Sequence, residues 1–255
     1  MLNILLCGCG GRMGAAVAAA ANAAGDRIVA GVDVNPTAAM PYPVFTSPEE
    51  FTGKADVMID FSHHSALEGL LAYATRTGTP LVVCTTGHTE EEMQMMKKAS
   101  EKVAVFFSRN MSLGINLLSE LVKRAATVLG SDFDIEVIEA HHRNKIDAPS
   151  GTALMLADAA KEARDAANLD TEYVYERASK REKRGDAEIG ISSIRGGTIV
   201  GEHSVIFAGN NEVLTLSHSA ESRDLFGTGA IRAALFIADK PAGFYTMSDV
   251  IAEIL

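Results

Sequence analysis

The feature that most constrains this chain is an alternation over its first hundred-odd residues. Short apolar runs, "NILLC", "RIVAGVDV", "DVMIDFS", "PLVVCTT" and "VAVFFS", are separated by glycine-rich or helix-forming stretches. A strand that is apolar along its whole length has both faces buried. Strands of that kind alternating with helices build a parallel sheet covered on each side. "AAVAAAANAA", "SALEGLLAYATRTG" and "TEEEMQMMKKASE" supply the helices. The first domain is therefore expected to be an α/β, Rossmann-like parallel sheet.

The pattern then changes. "GINLLSELVKRAATVLG" reads as a long amphipathic helix, "DIEVIEA" as a strand and "TALMLADAAKEARDAA" as a helix. "AEIGISSIR", "GEHSVIFAG" and "EVLTLSHSA" then follow as strands with no helix between them. Successive strands joined by short Gly- or Asn-containing turns suggest neighbours in a mostly antiparallel or mixed sheet, so the second domain is expected to be α+β. "DLFGTGAIRAALFIADK" and "TMSDVIAEIL" close the chain as helices. The charged stretch Glu176 to Gly185 reads as a solvated loop rather than a basic patch.

Composition narrows the partners. With 255 residues, 47% of them hydrophobic, a sizeable core can form. The net charge of -10 argues against nucleic acid or an anionic membrane as partner, while leaving room for a small anion bound locally. No apolar run approaches the ~20 residues of a membrane span. "MLNILLCGCGG" lacks the basic segment and long apolar core of a signal peptide, so a cytoplasmic protein is expected. Cys7, Cys9 and Cys84 cannot form a closed disulfide framework and read as reduced and buried. Cys7 and Cys9 are spaced too closely for a structural zinc site, and His63-His64 and His141-His142 are adjacent pairs, so no metal is expected.

Between the first strand and the first helix lies "GCGGRMG", Gly8, Cys9, Gly10, Gly11, Arg12, Met13 and Gly14. Glycines here allow a tight turn and close approach of backbone to a pyrophosphate, which the helix N-terminus would attract. Met13 stands where a strict G-x-G-x-x-G counted from Gly8 has its third glycine; Gly8, Gly11 and Gly14 fit better. Asp33 ends the second strand about 20 residues further on, where an acid accepts hydrogen bonds from an adenosine ribose. The alternative is a strand–helix turn with no ligand. Asp33 opposes a 2′-phosphate, and "VNPTAAM" after it has no Arg or Lys, which favours NADH over NADPH. Further cofactor contacts are expected at the C-terminal ends of the other parallel strands: Phe61; Cys84, Thr85 and Thr86; Ser108, Arg109, Asn110 and Met111. Thr85 and Thr86 can also serve as helix caps.

"EAHHRNKIDAPSGTA", Glu139 to Ala153, concentrates proton carriers, cations and a helix start. His141 and His142 are adjacent at a strand end, and histidine moves protons near neutrality. Lys145 can donate a proton or pair with a carboxylate. Ser150 can cap the next helix, with Gly151 and Thr152 presenting amides either to an anion or simply to solvent. Arg143 is open between a structural role and a ligand contact.

This run resembles the signature of the dihydrodipicolinate reductase family, the 4-hydroxy-tetrahydrodipicolinate reductases of bacterial lysine biosynthesis. "GCGGRMG", "CTTG", "SRNMSLGIN" and "IRGGTIVGEHSVIFAG" resemble further family segments, so the likeness spans nearly the whole chain. The resemblance implies a nucleotide domain of residues 1–109 and 226–255, and a substrate-binding and tetramerisation domain of residues 110–225. It implies NADH or NADPH as cofactor, a cyclic dicarboxylate substrate and a homotetramer. Carried over by motif position, His141 is the general acid/base and Lys145 the proton donor; His142, Lys145, Gly151 and Thr152 hold the substrate. Arg109 stands where the family often has Ala or Pro. Competing readings are another Rossmann reductase, of the aspartate dehydrogenase kind, or a non-catalytic NAD-binding protein. The first should lack the His-His-x-x-Lys-x-x-Pro-Ser-Gly-Thr run, and the second has no use for His141 and Lys145.

Overall fold

The structure is a computed structural model, which describes residues 1–35 and 39–254. The chain forms two compact units, residues Met1–Leu113 with Arg223–Leu255, and residues Gly114–Ser222.

The first unit opens with β1 (Asn3–Cys7), α1 (Arg12–Ala24), β2 (Arg27–Val32), β3 (Val44–Phe45) and β4 (Val57–Asp60). It continues with α2 (Leu67–Thr77), β5 (Leu81–Val83), α3 (Glu90–Ser100) and β6 (Ala104–Phe107). α4 (Leu113–Leu129) carries the chain into the second unit, whose further elements are β7 (Asp134–His141), α5 (Gly151–Ala166), β8 (Glu172–Val174), β9 (Glu188–Arg195), β10 (Gly201–Gly209) and β11 (Glu212–Ala220). The chain returns to the first unit with α6 (Asp224–Ile237), β12 (Gly243–Tyr245) and α7 (Met247–Ile254).

The first unit holds a seven-stranded parallel sheet in the order β12-β6-β5-β4-β1-β2-β3. β1 shows why its run is apolar throughout. Ile4 and Leu6 enter a cluster with Val17, Ala234 and Ile237 from α1 and α6, whereas Leu5 and Cys7 enter a second with Leu70, Leu71 and Met96 from α2 and α3. α1 is alanine-rich because α6 crosses it closely: a Cβ at Gly227 would lie 2.7 Å from the Ala16 carbonyl oxygen. The strand order reverses direction between β1 and β4, the place where open α/β sheets bind ligands beyond their carboxyl ends.

The second unit holds a mixed sheet in the order β11-β10-β7-β9-β8. β10 pairs antiparallel with β7 and β11, while β7, β9 and β8 are mutually parallel. This corrects the expectation that the three late strands would be successive neighbours. β9 and β10 flank β7 on opposite sides, and residues 196–200 pass over its C-terminal end, where Gly196 N–H donates to the His141 carbonyl at 2.9 Å. α5 supplies the crossover that a parallel β7–β9 pair requires. Ile135 and Val137 face the helices α4 and α5 in one core with Leu118, Leu156, Val205 and Phe207. The other face presents Ser192, Ile138, Ser204 and Ser217 in one cross-strand row.

The charged loop at 176–185 is largely exposed, but two of its arginines anchor it. Arg184 donates to Asp134 at 2.8 Å, to Glu136 at 3.2 Å and to the Ile135 carbonyl at 3.0 Å, and Arg177 pairs with Glu188. Cys7, Cys9 and Cys84 are buried and unpaired.

Candidate active site

In the first unit, the glycine turn and the acid after β2 meet at the carboxyl ends of β1, β2 and β4. Gly8 has φ +75°, donates its N–H to the Val32 carbonyl at 2.8 Å, and approaches β4 so closely that a Cβ would lie 2.4 Å from the Phe61 oxygen. Only glycine meets both demands. Gly11 is the N-cap of α1 with no side chain to cover the helix start. Gly14 takes over the packing task of a third fingerprint glycine, since a Cβ there would lie 2.5 Å from the Cys9 oxygen. Asp33 accepts from the Gly10 N–H and the Asn35 N–H, both at 2.9 Å. Gly8, Gly11 and Asp33 line a cleft of about 510 Å³ with Phe61, Thr46, Ser47, His63 and Ser65.

Asp60, at the end of β4, was not singled out in the sequence. It is buried and accepts from the Ser62 N–H at 2.9 Å, the Ser62 hydroxyl at 2.5 Å and the Thr85 hydroxyl at 2.8 Å, tying the loop after β4 to the loop after β5. Burial pushes its carboxyl upward, opposed by those hydrogen bonds.

The remaining cofactor candidates separate into two groups. Cys9, Cys84 and Met111 have their side chains in the core, so only their backbones can face a ligand. Burial raises the Cys9 and Cys84 thiols, which keeps them protonated at neutral pH. Gly10, Arg12, Thr86 and Arg109 are exposed, and Met13 is half-buried. Ser108 and Asn110 shape the loop after β6: Ser108 Oγ donates to the Asn110 carbonyl at 2.7 Å, and Asn110 Oδ1 accepts from Ser112 N–H at 2.8 Å. The stretch after Asp33 used in favouring NADH, residues 34–40, lies partly outside the described residues.

In the second unit, the end of β7 carries a buried histidine–carboxylate pair. Ile135, Val137, Glu139 and His141 share the helix-covered face, so the two polar residues continue the row that begins in the core. Glu139 is fully buried. Arg195, opposite His141 in the β7–β9 register, donates to it through both terminal nitrogens, at 2.8 and 2.7 Å. Ser150 N–H donates to it at 3.2 Å, and His141 Nδ1 lies 2.5 Å from it. Burial alone would raise the Glu139 carboxyl, but Arg195, Ser193 and His141 outweigh it and hold it at about 2. The His141 imidazole is pushed below its usual value by burial and by the Lys145 and Arg195 charges, against the pull of Glu139. At neutral pH the pair is thus a carboxylate and a neutral imidazole whose Nδ1–H donates to Glu139, which leaves Nε2 as the basic nitrogen.

Beyond β7 the chain turns, with the Lys145 N–H donating to the His142 carbonyl at 3.1 Å. His142 is half-buried, and Lys145 pairs with Asp147 at 2.9 Å. Ser150 caps α5, its Oγ accepting from Ala153 N–H at 3.1 Å and lying 3.0 Å from His203 Nε2. Gly151, with open space where a side chain would stand, and the half-buried Thr152 form the first turn. His141, His142, Lys145, Gly151 and Thr152 therefore lie on one strand end, one turn and one helix start. Sequence reading missed Glu139, Arg195 and His203. Glu139 was legible from parity with His141, two residues away on one strand face; Arg195 and His203 needed the sheet order. Among the described residues, no group of three or more His, Cys, Asp or Glu could hold a metal ion.

A parallel sheet with a glycine turn and an acid just beyond its second strand, followed by a mixed-sheet unit bearing a histidine–carboxylate pair, defines a Rossmann-type oxidoreductase. Residues 2–111 match the family model described as dihydrodipicolinate reductase, N-terminus, and residues 114–251 the model described as dihydrodipicolinate reductase, C-terminus. The chain belongs to the dihydrodipicolinate reductase family. It is 50% identical over 254 residues, 99% of each chain, to the 4-hydroxy-tetrahydrodipicolinate reductase of Caldanaerobacter subterraneus subsp. tengcongensis. It is 43% identical over 256 residues, 98% of each chain, to that of Clostridium perfringens. A dipicolinate-bound dihydrodipicolinate reductase from Paenisporosarcina sp. TG-14 superposes with a TM-score of 0.80 at 25% identity, over 96% of this chain and 97% of that one. The aspartate dehydrogenase of Thermotoga maritima shares the fold alone, with a TM-score of 0.52 and 10% identity.

Proposed function

We propose that the chain reduces 4-hydroxy-tetrahydrodipicolinate to tetrahydrodipicolinate, with loss of water and consumption of NADH or NADPH, in the diaminopimelate route to lysine. The observation that carries this reading is a single segment, from the end of β7 to the start of α5, that holds a neutral His141 tied to Glu139, the Lys145 cation and a helix N-terminus where Gly151 leaves open space. A cyclic dicarboxylate needs an anion seat, a neutralising charge and a proton source, and that segment offers all three. The relative bound to dipicolinate, itself a cyclic dicarboxylate, fits the same ligand class.

The amides of Gly151 and Thr152 receive one carboxylate, aided by the positive end of α5. His142 and Lys145 neutralise the ring and its second carboxylate. A bound reduced dinucleotide supplies the hydride. Charge gathering on the substrate ring is met by a proton from Lys145 or from His141 as general acid/base. The cleft around Gly8, Gly11 and Asp33 suits an adenosine and pyrophosphate, and Phe61, Thr85, Thr86, Ser108, Arg109, Asn110 and Met111 supply the remaining contacts along the strand ends. Asp33 favours NADH by opposing a 2′-phosphate.

Residues 1–109 and 226–255 serve the nucleotide, and residues 110–225 serve substrate and assembly. The serine- and isoleucine-bearing face of the second sheet supports assembly as a homotetramer, which light scattering would measure. A cytoplasmic location accords with three unpaired cysteines, and among the described residues no helix is long and apolar enough to cross a membrane.

The test is an assay of purified protein with freshly made substrate and each cofactor. Substrate-dependent NADH oxidation is expected, with His141→Ala and Lys145→Ala losing turnover while retaining NADH binding. No oxidation with either cofactor would refute the activity. Full turnover in both variants would refute the residue roles.

A further inference from the structure

Proton carriers work only when the proton sits on the correct atom and that atom points at substrate. In the second unit, one guanidinium reaches the supports of both carriers. Arg195 closes a two-pronged pair on Glu139, and Glu139 in turn accepts from His141 Nδ1. The nitrogen that donates to Glu139 Oε1 also donates to the Asp147 carbonyl at 2.6 Å, and Asp147 pairs with Lys145 at 2.9 Å. Opposite this, a Cβ at Gly201 would lie 3.1 Å from His141 Nε2, so glycine leaves that nitrogen uncrowded.

We propose that Arg195 is a positioning residue that holds His141 and Lys145 in register. Through Glu139 it fixes the His141 tautomer with Nδ1 protonated and Nε2 basic. Through the Asp147 carbonyl it fixes the turn that carries Lys145. Both effects rest on the proton-carrier roles assigned to His141 and Lys145 above.

The physical reasoning has two parts. Glu139 is buried, and a buried carboxylate without partners is costly, so its charge depends on the bidentate pair with Arg195. An ionised carboxylate only accepts hydrogen bonds, which forces the proton of a neutral imidazole onto the facing nitrogen. A lysine at 195 keeps the charge but has no planar fork, and one ammonium cannot reproduce three aligned bonds to two separate segments. A glutamine at 139 can turn its amide N–H₂ toward Nδ1, which moves the imidazole proton to Nε2 and removes the base.

The experiment combines ¹⁵N NMR of the imidazoles with steady-state kinetics across pH, on the full-length protein. Wild type is expected to show His141 as the Nδ1–H tautomer at pH above its midpoint. Glu139→Gln is expected to move it to Nε2–H, with kcat falling about 100-fold, within the range general acid–base catalysis supplies. NADH affinity by fluorescence titration should stay unchanged. Arg195→Lys is expected to lower kcat about 10-fold and displace the His141 limb of its pH profile, while Arg195→Ala falls further. A general loss of structure would instead move NADH affinity and kcat together. Wild-type His141 found as the Nε2–H tautomer overturns the proposal without any variant. So does Arg195→Lys with an unaltered pH profile and tautomer. Full turnover in His141→Ala would sink the reading beneath it, while the tautomer spectra would still decide the positioning claim.

Discussion

His203 gives the sharpest test of how polar groups are buried in the second unit. It lies on the helix-covered face of β10, opposite Glu139 in the sheet register, and is 5% exposed. Burial, reinforced by the neighbouring His141, lowers its imidazole from 6.5 to about 4. Below pH 6.5 the unfolded chain takes up a proton that the folded chain refuses. The stability this residue confers is therefore complete above pH 6.5 and is lost as pH falls from there toward 4. Integrating the linkage between those two values gives a loss of about 2 kcal/mol between pH 7 and pH 5, and about 3 kcal/mol once pH is below 4. Urea unfolding followed by far-UV circular dichroism at pH 7 and pH 5 measures the change, in wild type and in His203→Gln, whose amide can still meet Ser150. The other groups facing His203, namely His141, Glu139, His218 and Lys145, are present in both proteins, so the difference between the two reports chiefly on His203. The variant should therefore lose about 2 kcal/mol less than wild type across that interval. An equal loss in the two proteins would refute the reasoning, as would an NMR titration of His203 with a midpoint near 6.5.

Gly8→Ala forces a Cβ into a left-handed position against the Phe61 carbonyl, so it should cost about 1–3 kcal/mol and weaken NADH binding at least tenfold, read by fluorescence titration. Ser150→Ala removes the α5 cap and should destabilise the protein by about 1 kcal/mol in urea while raising the KM for substrate. Gly201→Val crowds His141 Nε2 and should lower kcat about tenfold with NADH affinity unchanged. On the proposed reading of Asp33 as the ribose acid, Asp33→Ser should shift the ratio of kcat/KM for NADH over NADPH toward NADPH.

The parallel sheet was legible because β1, β4, β5 and most of β6 are buried on both faces, and that condition writes itself as unbroken apolar runs. β3, β8 and β12 were not read, since two or three residues carry no periodicity. The order β10-β7-β9 was also missed, because strand adjacency is decided by which helix fills the space between strands rather than by proximity along the chain. The candidate site followed the same division. His141, Lys145 and the Ser150 cap lie in one continuous segment, where local chemistry is readable. Arg195 is 54 residues from His141 and reaches it only through sheet register, as does His203. Asp60 went unnoticed in the sequence because its role lies in three hydrogen bonds that join two loops, which only the fold brings together.

The insertion of the second unit between β6 and α6 has a consequence for synthesis. The first 113 residues leave the ribosome with a sheet whose α1 side is only partly roofed. The residues that complete it, Ala230, Ile231, Ala233, Ala234 and Ile237 of α6, arrive more than a hundred residues later. The inserted unit, by contrast, is contiguous and has its own core, so it can finish folding while its host is still incomplete. The nucleotide-binding half of the molecule, although begun first, is the half completed last.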